Sequence, residues 1–326
     1  VPTKWVDVLA QAYRLEVDET AWLNALLGAT VPLMPKTMGA YAATYDASDP
    51  TALRIDTVGA IGFPTDQVHA AVASSIRGLA AEDVKHAYQR TPAGTASQIL
   101  GDSYREKLGF AAYEPFGIFD TFGANAIDPG GRGCLFVGLL PRRDALDRAS
   151  LGAWNRLTAH VAAARRLRRA YGTTLGDDPS RTEGVDAVLT PNGKVHHARN
   201  DEIAKARGEL QRAVGEIERT RGARHEREPL QDWRAMVSAR WSLVDHFERD
   251  GKRYLVAVRN EAPAPALADL TPRERQVVGF ALLGHSNKVI AYELGLSAST
   301  VGVLLARALK RLGLRSRAEL ARVFPG

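Results

Sequence analysis

The chain has 326 residues, 45% of them hydrophobic and 25% charged, which suits two or three globular domains that bury their own cores. Its one cysteine, Cys134, excludes an internal disulfide and a cysteine-cage metal site, and no run reaches the ~18 apolar residues of a membrane span. The net charge of +6 sits almost entirely on residues 266–326, which carry nine Lys/Arg against four Asp/Glu. Such a basic module is expected either of a phosphate-backbone binder or of a solubilising surface. With no signal-peptide core in residues 1–8, the expectation is a soluble cytoplasmic protein without a membrane partner.

In chain order, residues 19–27 predict a helix with Trp22, Leu23, Leu26 and Leu27 inward. Residues 41–45 and 53–58 alternate like strands, and 66–79 predict a second helix. Strands are expected at 118–122 and 134–140, joined by the turn Asp128-Pro-Gly-Gly-Arg-Gly133. That turn lacks the Gly-Lys-Ser/Thr of a phosphate-binding loop. Residues 150–171 predict a long amphipathic helix with Leu151, Trp154, Leu157, Val161, Ala164 and Leu167 on its apolar side. Its arginines (Arg156, Arg165, Arg166, Arg168 and Arg169) suit a solvated face or a second DNA contact. The expected fold of 1–171 is α+β, an antiparallel sheet with packed helices, and its element order resembles a GAF-type sensor domain. The resemblance implies a ligand held between sheet and loops, with Tyr41, Tyr45, Phe63, Phe119 and Phe136 as candidate lining; plain core is the other reading of these aromatics.

A break at 172–180 precedes a smaller unit over 181–260. Asp186-Ala-Val-Leu-Thr190 and Lys194-Val-His196 flank Pro191-Asn-Gly193, a hairpin signal. Asn200 is placed to cap a helix over 201–221, where Ile203, Ala206, Leu210, Ala213 and Ile217 follow coiled-coil spacing. Packing on its own domain and dimerisation both fit that seam. Strands at 241–247 and 252–258 surround Asp250-Gly251. Hairpin, helix, hairpin resembles a shortened PAS-like unit. Residues 261–268, with Pro263 and Pro265 among small residues, form a linker.

The region 269–326 predicts four helices. Thr271, Pro272 and Glu274 supply an N-cap, a first-turn proline and a capping box. Val277, Val278, Ala281 and Leu282 form the apolar face of a helix that ends at Gly284. Ser286 caps a second helix over 287–294, and Gly295-Leu-Ser297 is the short glycine turn of a helix-turn-helix. A third helix spans 298–312 with Val301, Leu305, Ala308 and Leu312 inward, and a fourth spans 317–323. Leu270-Thr-Pro-Arg-Glu-Arg275, Gly284-His-Ser-Asn-Lys288, Ile290-Ala-Tyr-Glu-Leu-Gly-Leu-Ser297, Ser299-Thr-Val301 and the segment from Leu312 to Leu320 together resemble the LuxR/GerE-type helix-turn-helix.

That resemblance implies an all-α four-helix domain whose third helix enters the major groove of double-stranded DNA. It places Asn287, Lys288, Ser299, Thr300, Gly302, Val303, Ala306, Arg307, Lys310 and Arg311 at the interface. The chain departs from the family at Gly302 and Ala306, where relatives commonly carry basic residues, and at Leu304, where histidine is frequent. Gly302 and Ala306 cannot reach phosphates or guanine edges, so base readout passes to Ser299, Thr300 and Val303.

No catalytic triad, carboxylate pair or phospho-receiver pattern emerges, so the chain is not expected to be an enzyme and the residues name no cofactor. His196 and His197 are expected as surface residues and not as a metal site, and Cys134 as core. The reading is a one-component, homodimeric regulator that senses a small molecule or partner protein, with dimer contacts expected from helices such as 150–171. The alternative is a protein-interaction co-regulator that keeps the helix-turn-helix fold without strong DNA binding.

Overall fold

The computed structural model describes residues 5–14, 17–49, 51–76, 88, 93–107, 116–172, 186–199, 206–208, 210–212, 214–215, 241–249, 252–259 and 270–324. They divide into two compact units, Val1–Ala162 with Leu282–His285 and Ala318–Gly326, and Ala163–Ala281 with Ser286–Arg317. No single helix among the described residues is long and apolar enough to cross a membrane.

The first unit is built on a five-stranded antiparallel sheet. Its strands are β1 (Gly39–Asp46), β2 (Arg54–Ile61), β3 (Ala93–Thr95), β4 (Asp120–Ile127) and β5 (Arg132–Leu140), in the order β2-β1-β5-β4-β3. Ala42 pairs with Phe136 and Phe136 with Ala124, while Tyr41 pairs with Val137. Because strand side chains alternate between faces, Ala42, Phe122, Ala124 and Phe136 share one face. Tyr41, Tyr45, Leu135, Val137 and Leu139 share the other.

Helices cover the first face. Before α2 (Glu19–Thr30) lies α1 (Trp5–Ala12), and Asp18 caps α2 by accepting from the Ala21 N–H at 2.9 Å. Trp22, Leu23, Leu26 and Leu27 are fully buried, as their spacing predicts. The helix sits so close over β2 that a Cβ on Gly59 would stand 2.3 Å from Asn24 Oδ1. Beyond α3 (Thr65–Ile76), α4 (Ala96–Leu100) and α5 (Tyr104–Lys107) comes the long α6 (Arg148–Gly172). Its Trp154 packs 4.7 Å from the Phe122 ring and edge-on to Trp5 at 5.4 Å.

The opposite face carries a buried polar knot. The Tyr45 hydroxyl lies 2.6 Å from Asn125 Oδ1 and 2.7 Å from the Tyr88 carbonyl oxygen, to which Asn125 Nδ2 donates at 2.5 Å. Beside it Ala96, Tyr104, Ile118, Val137 and Leu139 form an apolar cluster, with Tyr41, Phe63, Leu100 and Leu135 packed on its edge.

Several expectations shift. The strand expected at 118–122 is β4, which starts later and runs to Ile127. Gly123, Ala124, Asn125 and Ala126 have weak strand preference, but pairing of all four to β5, and of Gly123 and Ala124 also to β3, holds them extended. The turn before β5 is tighter than expected, since Arg132 is already in the strand. Gly131 there has φ 78°, and a Cβ on it would meet Ser48 Cα at 2.7 Å. α1, β3, α4 and α5 are short and carry no periodicity long enough to read.

One expectation for the long helix is corrected. Trp154, Leu157, Val161, Ala164 and Leu167 are buried within the chain, and so are Ala153, Ala159, Ala162 and Ala163. Its apolar side is thus packed, as the spacing predicts. Its arginines are not a solvated face: Arg165 is buried, and Arg156, Arg166, Arg168 and Arg169 are only partly exposed.

The second unit contains a four-stranded antiparallel sheet of β6 (Ala187–Leu189), β7 (Val195–Ala198), β8 (Trp241–Arg249) and β9 (Lys252–Arg259), ordered β7-β6-β9-β8. Its first hairpin turns where expected, with Gly193 at φ 80° donating to the Thr190 carbonyl at 2.8 Å. His196 and His197 are both exposed, and no metal-holding cluster occurs among the described residues. Residues 207, 208, 210–212, 214 and 215 are helical, with Ala206, Leu210 and Val214 buried. Asn200, Ile203, Ala213, Ile217, Asp250, Gly251 and the 261–268 linker lie outside the described residues.

Gly133 tests the knot. A Cβ there would stand 2.2 Å from the Tyr45 hydroxyl oxygen and 2.3 Å from its Cζ. Gly133→Ala is expected to destabilise the protein by about 1–3 kcal/mol through overpacking. Gly28→Ala, on the exposed side of α2 with nothing within 4 Å, should stabilise by about 0.5–1 kcal/mol. Thermal denaturation followed by circular dichroism reads both, and an unchanged Tm for Gly133→Ala would refute the packing argument.

Candidate nucleic-acid interface

The C-terminal helices are α7 (Pro272–Leu282), α8 (Asn287–Glu293), α9 (Ala298–Arg311) and α10 (Arg317–Val323). Each boundary has a local cause. The Thr271 N–H and hydroxyl donate to Glu274 Oε2 at 2.9 and 2.8 Å, and the Glu274 N–H returns to Thr271 Oγ1 at 3.3 Å. This is the capping box read from the sequence. Ser286 caps α8 through the Val289 N–H. After α8 the Leu296 N–H reaches back to the Ala291 carbonyl at 2.8 Å, and Gly295 takes φ 61°. The axes of α8 and α9 turn through 104°, within the range of a helix-turn-helix.

Val277, Val278, Ala281, Ile290, Ala291, Leu294, Val301, Leu305 and Ala308 are buried, leaving the other side of α9 to solvent. Leu283, not Leu282, is the buried residue at the end of α7; Leu282 is half-buried. Glu274, with a side chain only 3% exposed, also accepts from Arg311 Nη1 at 2.9 Å. Burial raises the pKa of this carboxyl, but the Thr271 hydrogen bonds and the charges of Arg311 and Arg307 outweigh it and hold it below its ordinary value. Arg317 donates to the Ala281 carbonyl at 3.0 Å, and desolvation lowers its pKa.

Among protein families, the one described as GerE, bacterial regulatory proteins, luxR family, matches residues 268–324. These residues are a LuxR-family helix-turn-helix domain. The domain supports a DNA-binding transcription regulator. No curated protein matches the chain.

Within the LuxR-family domain, Lys288, Ser299, Thr300, Val303, Ala306, Arg307, Lys310 and Arg311 are exposed, while Asn287 and Gly302 are half-buried. Ser299, Val303, Ala306 and Lys310 succeed one another at three- and four-residue spacing, forming the outer stripe of α9. Thr300, Arg307 and Arg311 run beside it. A Cβ on Gly302 would lie 3.7 Å from Asn287 Nδ2, an ordinary contact, so a side chain fits there.

Two groups of candidates are tied up locally. The Ser297 hydroxyl accepts from the Thr300 N–H at 3.0 Å and lies 2.7 Å from Ser299 Oγ and 2.8 Å from Thr300 Oγ1. Arg311 is held by Glu274. The sequence shows the box of Thr271 and Glu274, but not its third member, which lies 37 residues from Glu274.

The five aromatic ligand candidates are not brought to one place. Phe136 is fully buried on the sheet face that α2 and α6 cover. Tyr45 is fully buried in the polar knot on the other face, near Tyr41 and Phe63 at the apolar cluster, while Phe119 is 42% exposed. A shallow surface cleft of about 210 Å³ lies in the second unit, lined by Asn192, Lys194, Val195, Arg207 and Gln211.

The depressed pKa of Glu274 gives a pH prediction. Its carboxylate contributes stability above its unfolded value of about 4.3, and the contribution is lost as pH falls through the lower folded value. Hydrogen exchange of residues 270–324 at pH 7 and pH 3.5 should show a smaller difference for Glu274→Gln than for wild type. At pH 7, Glu274→Ala should reduce protection by about 1–3 kcal/mol. Equal pH sensitivity of Glu274→Gln and wild type would refute the assignment.

Proposed function

We propose that this chain is a one-component transcriptional regulator. In this reading its 1–171 and 181–260 regions, GAF-like and PAS-like, sense a small molecule or partner protein, and the 269–326 domain binds duplex DNA. The observation that carries the DNA half is the exposed outer stripe of α9, set at 104° to α8 within a LuxR-family domain. Lys288, Arg307 and Lys310 then meet phosphates, and Ser299, Thr300 and Val303 face base edges. The antiparallel sheet with packed helices and an apolar cluster that Tyr41 and Phe63 join supports the sensing half. Half-sites in DNA usually come in pairs, so the active form is a homodimer; light scattering of the full chain with and without DNA tests it. Sensor occupancy shifts the population of DNA-competent dimers.

Gly302 and Ala306 favour a second reading, a co-regulator acting through protein contacts. Fluorescence-anisotropy titration of the full chain on duplex DNA at several salt concentrations separates the two. Lys288→Ala or Lys310→Ala should weaken binding on every sequence and lower the salt slope by roughly one unit. Gly302→Lys, sterically allowed beside Asn287, should raise affinity and steepen the slope. If wild type shows no salt-dependent binding and Gly302→Lys does not create it, the co-regulator reading replaces the first.

A further inference from the structure

The outer stripe of α9 is apolar where it is most central. Val303 is 50% exposed, and among the described residues of this domain the other large hydrophobic left so open is Val323. Above it Gly302 offers no side chain, and one turn on, the exposed Ala306 offers a single methyl. The hydroxyls of Ser299 and Thr300 are gathered onto Ser297, and the Arg311 guanidinium is drawn to Glu274. The centre of the stripe is thus an isopropyl group beside a methyl group, neither of which makes a hydrogen bond. In the major groove the apolar feature on a base is the C5-methyl of thymine.

We infer that Val303, with Ala306, reads a thymine methyl, so that the operator carries an A·T pair beneath the middle of α9. The inference rests on the DNA-binding reading and adds which base is chosen and how. Selection comes from removing two apolar surfaces from water, without a bidentate hydrogen bond. It follows that 5-methylcytosine, which carries its methyl at the same ring position, replaces thymine there better than cytosine does.

The test uses the full chain and a pool of duplexes with a randomised centre. The selected duplex is then remade with each thymine in turn replaced by uracil, which pairs with adenine identically and lacks only the methyl. Wild type should bind about fourfold more weakly when one particular thymine of a half-site is replaced, the worth of one buried methyl-sized group. Val303→Ala, at a half-exposed position where folding is not at stake, should bind the thymine and uracil duplexes equally. 5-Methylcytosine at that position should restore affinity over cytosine. The inference fails if a specific duplex is selected yet no uracil substitution costs more than about twofold, or if Val303→Ala keeps the uracil penalty. Absence of salt-dependent binding to the whole pool would overturn the DNA-binding reading beneath it, a result distinct from either of those.

Discussion

The carboxylate of Glu274 joins the beginning of α7 to the end of α9. A buried carboxylate is costly unless its oxygens are satisfied. Here the backbone and side chain of Thr271 and the guanidinium of Arg311 satisfy one oxygen together. The same group therefore starts the first helix of the domain and clamps the last turn of the third. The orientation of α9 against the other helices, and with it which residues face outward, follows from that clamp and from the buried Val301, Leu305 and Ala308.

The clamp also decides the charge on the outer face. Of the cations near the end of α9, the half-exposed Arg311 pairs with Glu274, and Arg317 donates to the Ala281 carbonyl. What remains outward is a stripe with a cationic end at Arg307 and Lys310 and an apolar centre at Val303 and Ala306. Phosphate contacts position a protein on DNA and base contacts specify the site. In the proposed reading, this face separates the two tasks along one helix.

A comparable division runs through the first unit. The register of β1, β5 and β4 sends Phe122 and Phe136 towards α2 and α6. It sends Tyr41 and Tyr45 to the face with the Asn125 knot. Tyr45 is committed to holding Asn125 and Tyr88, and Phe136 to the helical core.

The sequence alone determined the helix-turn-helix module almost residue by residue, because its signals are local. Thr271 with Glu274, Ser286 with Val289 and the glycine at 295 each act within about one turn, so the starts of α7 and α8 and the turn before α9 were legible before any packing was known. The hairpin at Gly193 and the inward residues of α2 were legible for the same reason. Tertiary structure decided everything that depends on partners distant in the chain. β4 extends through Gly123-Ala-Asn-Ala126 because it pairs with β5 along its length and with β3 at Gly123 and Ala124. The long helix α6 is buried on more than one side, which its own periodicity cannot announce. The five aromatics separate because a strand register, not residue type, assigns side chains to faces. Arg311 also pairs with a carboxylate 37 positions earlier, a contact that only folding reveals.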